Sequence, residues 1–525
     1  MIDLSQIPHA KNLSKTGLLK IATESGHIDS VSQFLKDHID GVWLLDIVGV
    51  DQSLQNKGVE LHYHFSDVEN DELITVTVSE AKKDTVKSIS HIFFNSSLYE
   101  QELNEFFGVQ FDKTYRNEIF GAENKIYPLL KDELRKPEVK KEPFDEYSFQ
   151  KNLFLNEYQI EIKTAEENNL ISQCEVNLGY GHIGLEKISE NLNLFETYQL
   201  LENVFSTQSL DWSFLLSHNI EKSKKMIIPE RAQALRMVCL EFSRIFSHLM
   251  YLRNLNFYYQ NDSFYHHSLL WMKRLQALFI SLCGNEALKN IIRIGGVIKD
   301  VNQAWLSRTI DDLLILEKEI EQFEKFFTEH RHWRESLNIS LFDKQNAALY
   351  CLTGPMVRAS GINIDFRKSA PFYFYKDVRF EVPVATNGTA FDLVCIKIVE
   401  IKESINIILQ VLDNLPTGSC MNDEYLDFTQ IQTTQHEGNE DAFKAKLKTI
   451  FSEQTSLTHF SYIESANGIL SLYLDMQEGH VDRLHLGSSD LLLKKVFEEV
   501  SIGKDMSELE TLWHVLQPNL KYIER

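Results

Sequence analysis

Between Pro229 and Leu252 the sequence PERAQALRMVCLEFSRIFSHLMYL runs without a glycine or an internal proline. Leu235, Val238, Phe242, Ile245, Leu249 and Leu252 recur at three- and four-residue steps, so one face of a helix is apolar from end to end. Proline suits the first helical position, where no N–H is needed. At 1.5 Å per residue such a helix runs roughly 35 Å, enough to cross a large domain. Arg231, Arg244 and His248 are polar positions along it. Two further runs, SLLWMKRLQALFISLCG and TIDDLLILEKEIEQFEKFFTEH, also read as helices. The second carries a heptad-like stripe suited to antiparallel bundle packing. These runs require a large, mainly helical domain.

The amino-terminal part is patterned differently. Residues 1–20 read as a loose leader, SVSQFLKDHI as a short helix and VWLLDIVGVD as a buried strand. VELHYHF alternates, with Val59, Leu61, Tyr63 and Phe65 on one face and Glu60, His62 and His64 on the other, as a half-buried strand does. ITVTVSE is another strand. YEQELNEFFGVQF is a helix closing on Gly108, with a short strand after it. Residues 131–148, KDELRKPEVKKEPFDEYS, are charged, hold two prolines and have no apolar period, which marks a linker. Residues 149–180 form a small β-element, and helix dominates from about 183. A chain of 525 residues exceeds one ordinary core. The fold class expected is α+β: a small α/β domain over 20–130, a linker over 131–148 and a large, mainly helical domain over 149–525.

The 53 basic and 76 acidic side chains leave a net charge of −23, which repels phosphate backbones and anionic lipid surfaces. Nucleic acid is therefore not an expected partner, and a membrane position needs a partner subunit to hold it. Cys174, Cys239, Cys283, Cys351, Cys395 and Cys420 include no C-x-x-C pair and read as buried, inert thiols of a reducing compartment. The start lacks a long apolar region, so no signal peptide is expected, and no stretch approaches the 18 apolar residues of a bilayer span. Neither a G-x-G-x-x-G nor a P-loop occurs, so NADH and ATP are not expected ligands. EHRHWRE (329–335), His266–His267 and the His62/His64 pair lack a metal-ligand pattern and read as surface residues.

Three blocks carry more than generic patterning. ELNEFFGVQF (102–111) with PLLKD (128–132), downstream of LLDIVGVD, resembles the C subunit of the proton-pumping NADH–quinone oxidoreductase, complex I. GHIGLEK (181–187), IPERAQALRMVCLEFSRIFSHL (228–249) and IRIGGVIKDV (292–301) resemble the D subunit of the same family. So do LTGPMVRASGINIDFRKSAPFYFY (352–375) and FEVPV (380–384). The last two blocks resemble equally the large subunit of membrane-bound NiFe hydrogenases of the formate-hydrogenlyase type. The resemblance spans roughly residues 25–410 and is weak over the last hundred. It implies a C-like domain fused to a D-like domain in a peripheral arm, packed against a small iron–sulfur subunit and carried by antiporter-like membrane subunits. The place implied is the cytoplasmic face of the inner membrane.

The chemistry of those families is only partly matched. A NiFe site takes four cysteines as two C-x-x-C pairs, because soft thiolates hold those metals. The first pair should follow GHIGLEK, where TQSLDWSFLLSH (207–218) has no cysteine, and the second should lie near the C-terminus, where none follows Cys420. In the complex I pattern a histidine hairpin and a tyrosine face the quinone. The hairpin region here, SFQKNLFLNEYQIEI (148–162), has no histidine, and the tyrosine position is Trp212, which can donate a hydrogen bond but cannot deliver a proton as a phenol does. The family's H-R-G-x-E-K becomes His182-Ile183-Gly184-Leu185-Glu186-Lys187, and a cluster-facing histidine becomes Leu288.

Arg231, His248, Arg293, Asp300, Arg358, Asp365, Arg367 and Lys368 match family positions, either as a charged network or as structural polarity. The resemblance makes His182, Glu186, Lys187, Trp212, His248, Arg293, Arg358, Asp365 and Arg367 the candidate quinone- or cluster-facing residues. It implies no cofactor bound by this chain alone, an iron–sulfur cluster in the partner and quinone at their interface as an open question. Two roles follow: a structural and coupling subunit without its own NiFe site, or a quinone-reducing subunit with an altered pocket in which Trp212 stacks on the head group and His182 or Tyr180 supplies protons. A stand-alone binding protein reusing the fold is the third reading.

Overall fold

Alternation organises the amino-terminal sheet. In the computed structural model, which describes residues 7–13, 19–52, 58–79, 81, 84–113, 127–131, 161–178, 181–205, 208–286, 289–422, 457–477 and 479–525, this sheet has five strands. They are β1 (Lys11–Asn12), β2 (Leu19–Thr23), β3 (Val42–Asp51), β4 (Val59–Asp67) and β5 (Glu72–Val78), in the order β1-β2-β5-β4-β3. All neighbours are antiparallel except β2 with β5. The leader expected over 1–20 thus contains β1 and the start of β2.

Val59, Leu61, Tyr63 and Phe65 are buried as the pattern requires. The opposite face differs from expectation. His62 and His64 pair with Thr77 and Thr75 across the β4–β5 ladder at 3.2 and 3.1 Å, and His64 is buried. Burial, with the Lys20 charge adding, holds His62 down to about 4. The polar face of this interior strand thus finds threonine partners on its neighbour, His62 half-buried and His64 buried.

Helix α1 (Ile28–His38) buries Ile28, Val31 and Leu35. Helix α2 (Ser96–Phe107) ends at Gly108, whose left-handed φ of 71° lets its N–H close on the Asn104 carbonyl. The short strand expected next is one parallel bridge, Val86 to Phe111. Strands β6 (Glu161–Glu167) and β7 (Leu170–Asn177) form the small β-element as an antiparallel hairpin. Residues 132–148 of the expected linker, most of the hairpin region 148–162, and Tyr180 and Leu288 lie outside the described residues.

By contacts the chain divides into two compact units that interleave in sequence: residues 1–187, 340–370 and 487–525 in one, residues 188–339 and 371–486 in the other. Helix α3 (Leu185–Ser189) lies at the first crossing. The second unit holds α4 (Leu194–Val204), α5 (Ser209–Lys224), α6 (Glu230–Tyr258), α7 (Asp262–Cys283), the β8 (Ile292–Arg293) and β9 (Gly296–Val297) pair, α8 (Gln303–Glu329) and α9 (Arg331–Ser336). The first unit takes back α10 (Lys344–Leu349), α11 (Gly354–Ala359) and α12 (Phe366–Ser369). The second then adds α13 (Ala390–Asp413) and a three-stranded sheet of β10 (Leu457–Glu464), β11 (Ile469–Gln477) and β12 (His480–Ser488), in which β10 and β11 pair antiparallel. Helices α14 (Asp490–Val500), α15 (Met506–Leu516) and α16 (Leu520–Ile523) complete the first unit, where Glu498 of α14 accepts from the Val176 N–H of β7.

Helix α6 spans 29 residues, and Pro229 caps it rather than starting it. Its stripe from Leu235 to Leu252 is buried against α7 and α13, which pack in turn on α8. The α8 stripe, Trp305, Thr309, Leu313, Leu316, Ile320, Phe323 and Phe327, is buried at heptad spacing. Helix α5 is buried on every side from Ser209 to Glu221, between α4, α6 and the β10–β11 face. Gly296 admits no side chain, because a Cβ there would meet the Cys420 carbonyl oxygen at 2.2 Å.

Candidate functional site

The polar residues that interrupt the apolar helices are where chemistry could reside, since each must be satisfied without water. In the second unit they form a continuous seam. Glu241, Arg244, His248 and Tyr251 follow α6 at steps of three and four residues, facing Ser404, Glu400 and Lys397 of α13. The Ser404 and Tyr375 hydroxyls each donate to Glu241 at 2.6 Å. His248 Nε2 lies 2.8 Å from Glu400, and the Lys397 ammonium sits 4.5 Å above the Tyr251 ring. Burial holds His248 down to about 4 against the pull of Glu400, so it is a neutral imidazole donating to a carboxylate.

Beside the seam, α5 carries Glu221 to Arg236 of α6. Two guanidinium nitrogens contact its carboxylate at 2.6 and 2.8 Å, and the same guanidinium donates to the Arg293 and Gly296 carbonyls and lies 2.7 Å from the Tyr373 hydroxyl. Arg293 in turn pairs with Glu202 of α4 at 2.7 and 3.1 Å, lies 4.7 Å above the Tyr198 ring and donates to Asn290. Trp212 is fully buried, its ring 5.1 Å from Phe205. Arg231 chelates Asp300 near the surface, at 2.8 and 3.0 Å.

The first unit has two groups of its own. Arg367 grips Asp365 with two nitrogens at 3.0 and 2.6 Å, while Arg358 donates to the Ile364 carbonyl and lies 3.7 Å from Asp365. Arg525 joins Glu186 at 2.9 Å and Glu102 at 2.7 Å. Nearby, His182 stacks on Phe106 at 5.7 Å, and burial lowers its pKa against the Glu186 charge. Lys187 donates to the Leu130 carbonyl.

The candidates thus gather as His182, Glu186 and Lys187 around α3 and as Arg358, Asp365 and Arg367 around α12. Trp212, His248 and Arg293 stand at separate points of the second unit. Glu102, Glu202, Glu221, Arg236, Glu241, Glu400 and Arg525 were not singled out by sequence. For Glu241 and Glu400 the signal is a charge inside an apolar run, LRMVCLEFSRIF and LVCIKIVEIKESINII.

The thiols do not fit a NiFe centre. Burial lifts Cys174, Cys239 and Cys395 to about 12 and Cys351 to about 11, and raises Cys283 and Cys420 as well. Among the described residues no cysteine belongs to a group of three or more metal-capable side chains, whereas a NiFe centre needs its soft thiolates gathered at one place. The residues of the exposed motifs, His266, His267, His330 and His332, lie at the surface.

Comparison with known proteins agrees with this architecture. Residues 21–138 match the family model for the respiratory-chain NADH dehydrogenase 30 Kd subunit, and residues 271–520 match that for the 49 Kd subunit. The C/D subunit of the NADH-quinone oxidoreductase of Buchnera aphidicola subsp. Cinara cedri (strain Cc) is 26% identical over 498 residues, covering 82% of each chain. The D subunit of the F(420)H(2) dehydrogenase of Methanosarcina mazei is 30% identical over 262 residues, which are 50% of this chain and 70% of that one. A chain in the structure of the membrane-bound sulfane sulfur reductase, an archaeal respiratory membrane complex, superposes with a TM-score of 0.63 at 23% identity. The superposition covers 72% of this chain and 97% of that one and marks a shared fold. Among the described residues no helix is long and apolar enough to cross a membrane.

Proposed function

Because the chain belongs to the family of the respiratory-chain NADH dehydrogenase 30 and 49 kDa subunits, joined here in one polypeptide, we propose that it serves in the peripheral arm of a complex I-like respiratory complex as a structural and coupling subunit. It has no NiFe site of its own. Its partners on this reading are a small iron–sulfur subunit and antiporter-like membrane subunits, which hold an acidic chain of net charge −23 at the cytoplasmic face of the inner membrane.

One observation carries the proposal. Of the eight polar residues that match the family, His248, Arg293, Arg358, Asp365 and Arg367 are buried and engaged within the fold, while the tyrosine position holds Trp212, the cluster-facing arginine position holds Ile183, and no cysteine stands in 207–218 or after Cys420. Ion pairs of this kind specify packing without performing chemistry. Trp212 retains an aromatic surface but has no acidic proton to deliver to a reduced quinone.

The test is affinity purification of the tagged chain from detergent-solubilised membranes. The expected result is a stable complex with a cluster-bearing small subunit and membrane subunits, the iron accounted for by the small subunit's cysteines. Recovery of the chain alone, from the soluble fraction and without partners, would contradict the role and favour a free-standing binding protein.

A further inference from the structure

Asp211 enters the interior of the second unit in the first turn of α5 and is buried there. Its Oδ2 accepts from two neutral hydroxyls, Ser465 at 3.1 Å and Ser243 at 3.3 Å. The Arg244 guanidinium beside it makes its shortest contacts elsewhere. Nη1 donates to the Ser465 carbonyl at 2.7 Å, Nη2 to the Glu464 carbonyl at 2.6 Å, and Nε faces Glu241 at 3.3 Å.

Two buried carboxyl groups therefore lean on the Arg244 guanidinium. Ionising both in a medium that solvates charge poorly costs more than leaving a proton on one. Glu241 is the better carboxylate, because it receives two hydroxyl bonds at 2.6 Å in addition to the guanidinium. Asp211, with longer and neutral donors, is the natural holder of the proton. Burial first of all raises Asp211 to about 7, with the Glu241 charge adding, while Arg244, Ser465 and Ser243 oppose the rise.

The carboxyl is not sealed in close packing. Asp211, Leu240, Arg244, Phe372, Tyr375 and Ser465 line a cavity of about 10 Å³, the room of roughly one water molecule. The carboxyl, guanidinium and phenol on its walls can supply the two to four polar partners that a buried water requires.

We propose that Asp211 and this cavity form a proton-holding site, in which the carboxyl keeps a proton and exchanges it through one water lodged among Asp211, Arg244 and Tyr375. On release, the Asp211 O–H bond breaks and its proton passes to the water, which passes one of its own protons outward. Uptake reverses these steps, and no electrons move. The groups facing Asp211 are Arg244 and Glu241 from α6, Glu464 from β10 and the Tyr375 phenol. A negative charge arriving nearby strengthens the carboxyl's hold on the proton, and a positive one loosens it. A coupling subunit without a redox group could use such a device. The site itself rests on the interior of one unit and not on the coupling role.

The test is infrared spectroscopy of the purified full chain, labelled with 13C-carboxyl aspartate and titrated from about pH 5 to 9. One aspartic acid carbonyl band should disappear with a midpoint near 7, shift within minutes in D2O and be missing from Asp211→Asn. In Ser465→Ala, which removes a donor to the carboxylate, the midpoint should rise by about half a unit or more. A wild-type chain without such a band, a band that survives in Asp211→Asn, or an unmoved midpoint in Ser465→Ala would overturn the proposal. None of these readouts depends on partner subunits, so they can fail while the coupling role stands.

Discussion

Replacing Arg236 with methionine tests most sharply how the second unit is held together. Arg236 is fully buried and meets Glu221, the Arg293 and Gly296 carbonyls and the Tyr373 hydroxyl. Methionine fills much of the volume but leaves Glu221 with the Gly295 N–H as its remaining main-chain donor. Breaking a buried ion pair from one side costs about 3–5 kcal/mol, because the stranded charge has no solvent to return to. Glu221→Gln strands the guanidinium instead and should cost a similar order. The double variant strands neither charge, so its loss should fall short of the sum of the single losses by about 2 kcal/mol or more. Urea unfolding followed by far-ultraviolet circular dichroism measures the free energies. Hydrogen exchange at α5 and α6 assigns the loss to this unit, since a chain of two units need not unfold in one step. A loss below about 1 kcal/mol in Arg236→Met, or simple additivity in the double variant, would refute the reasoning.

Asp211 and His248 give opposite pH dependences. Asp211 is raised from 3.8 to about 7 in the fold, so the unfolded chain sheds its proton first and stability falls as pH rises between those values. At ~1.4 kcal/mol per unit the fall is about 4 kcal/mol, and Asp211→Asn should abolish it in pH-dependent urea unfolding. His248 is lowered from 6.5 to about 4, so its contribution is complete above 6.5 and fades as pH drops towards 4. The swing is ~3 kcal/mol, and His248→Gln should flatten that acid limb in the same assay. Gly296→Ala drives a Cβ to 2.2 Å from the Cys420 oxygen; a cost of about 2 kcal/mol or more is expected in thermal melting. Arg525→Met strands Glu102 and Glu186 in the first unit and should lower stability by ~3–5 kcal/mol, with faster hydrogen exchange at α2 and α3.

Much of this fold was legible because single elements declare themselves by period. The apolar stripes of α6 and α8 and the alternation of β4 needed no knowledge of their neighbours. Helix α5 was less legible: SLDWSFLLSHNIEKSK is buried all round and mixes polar with apolar residues, so it has no single apolar face to betray its place. Strand β11 is buried at every residue but Gln477 and likewise lacks alternation. Within the candidate site, the sequence supplied Arg293 and His248 but not Glu202 and Glu400. Those pairings join residues 91 and 152 positions apart, and partners at such separations are set by packing rather than by local pattern. His64 reads as solvated in the sequence, whereas in the sheet it is buried and meets Thr75 of the neighbouring strand.

A subunit that has kept the scaffold without a quinone-reducing site leaves a direct mark in photoaffinity labelling. The assembled complex would be illuminated with an azido-quinone, with and without excess unmodified quinone, and the labelled peptides mapped by mass spectrometry. Any label suppressed by competing quinone should fall on other subunits and spare the peptides containing His182 and Trp212. Competable label on either of those peptides would contradict it.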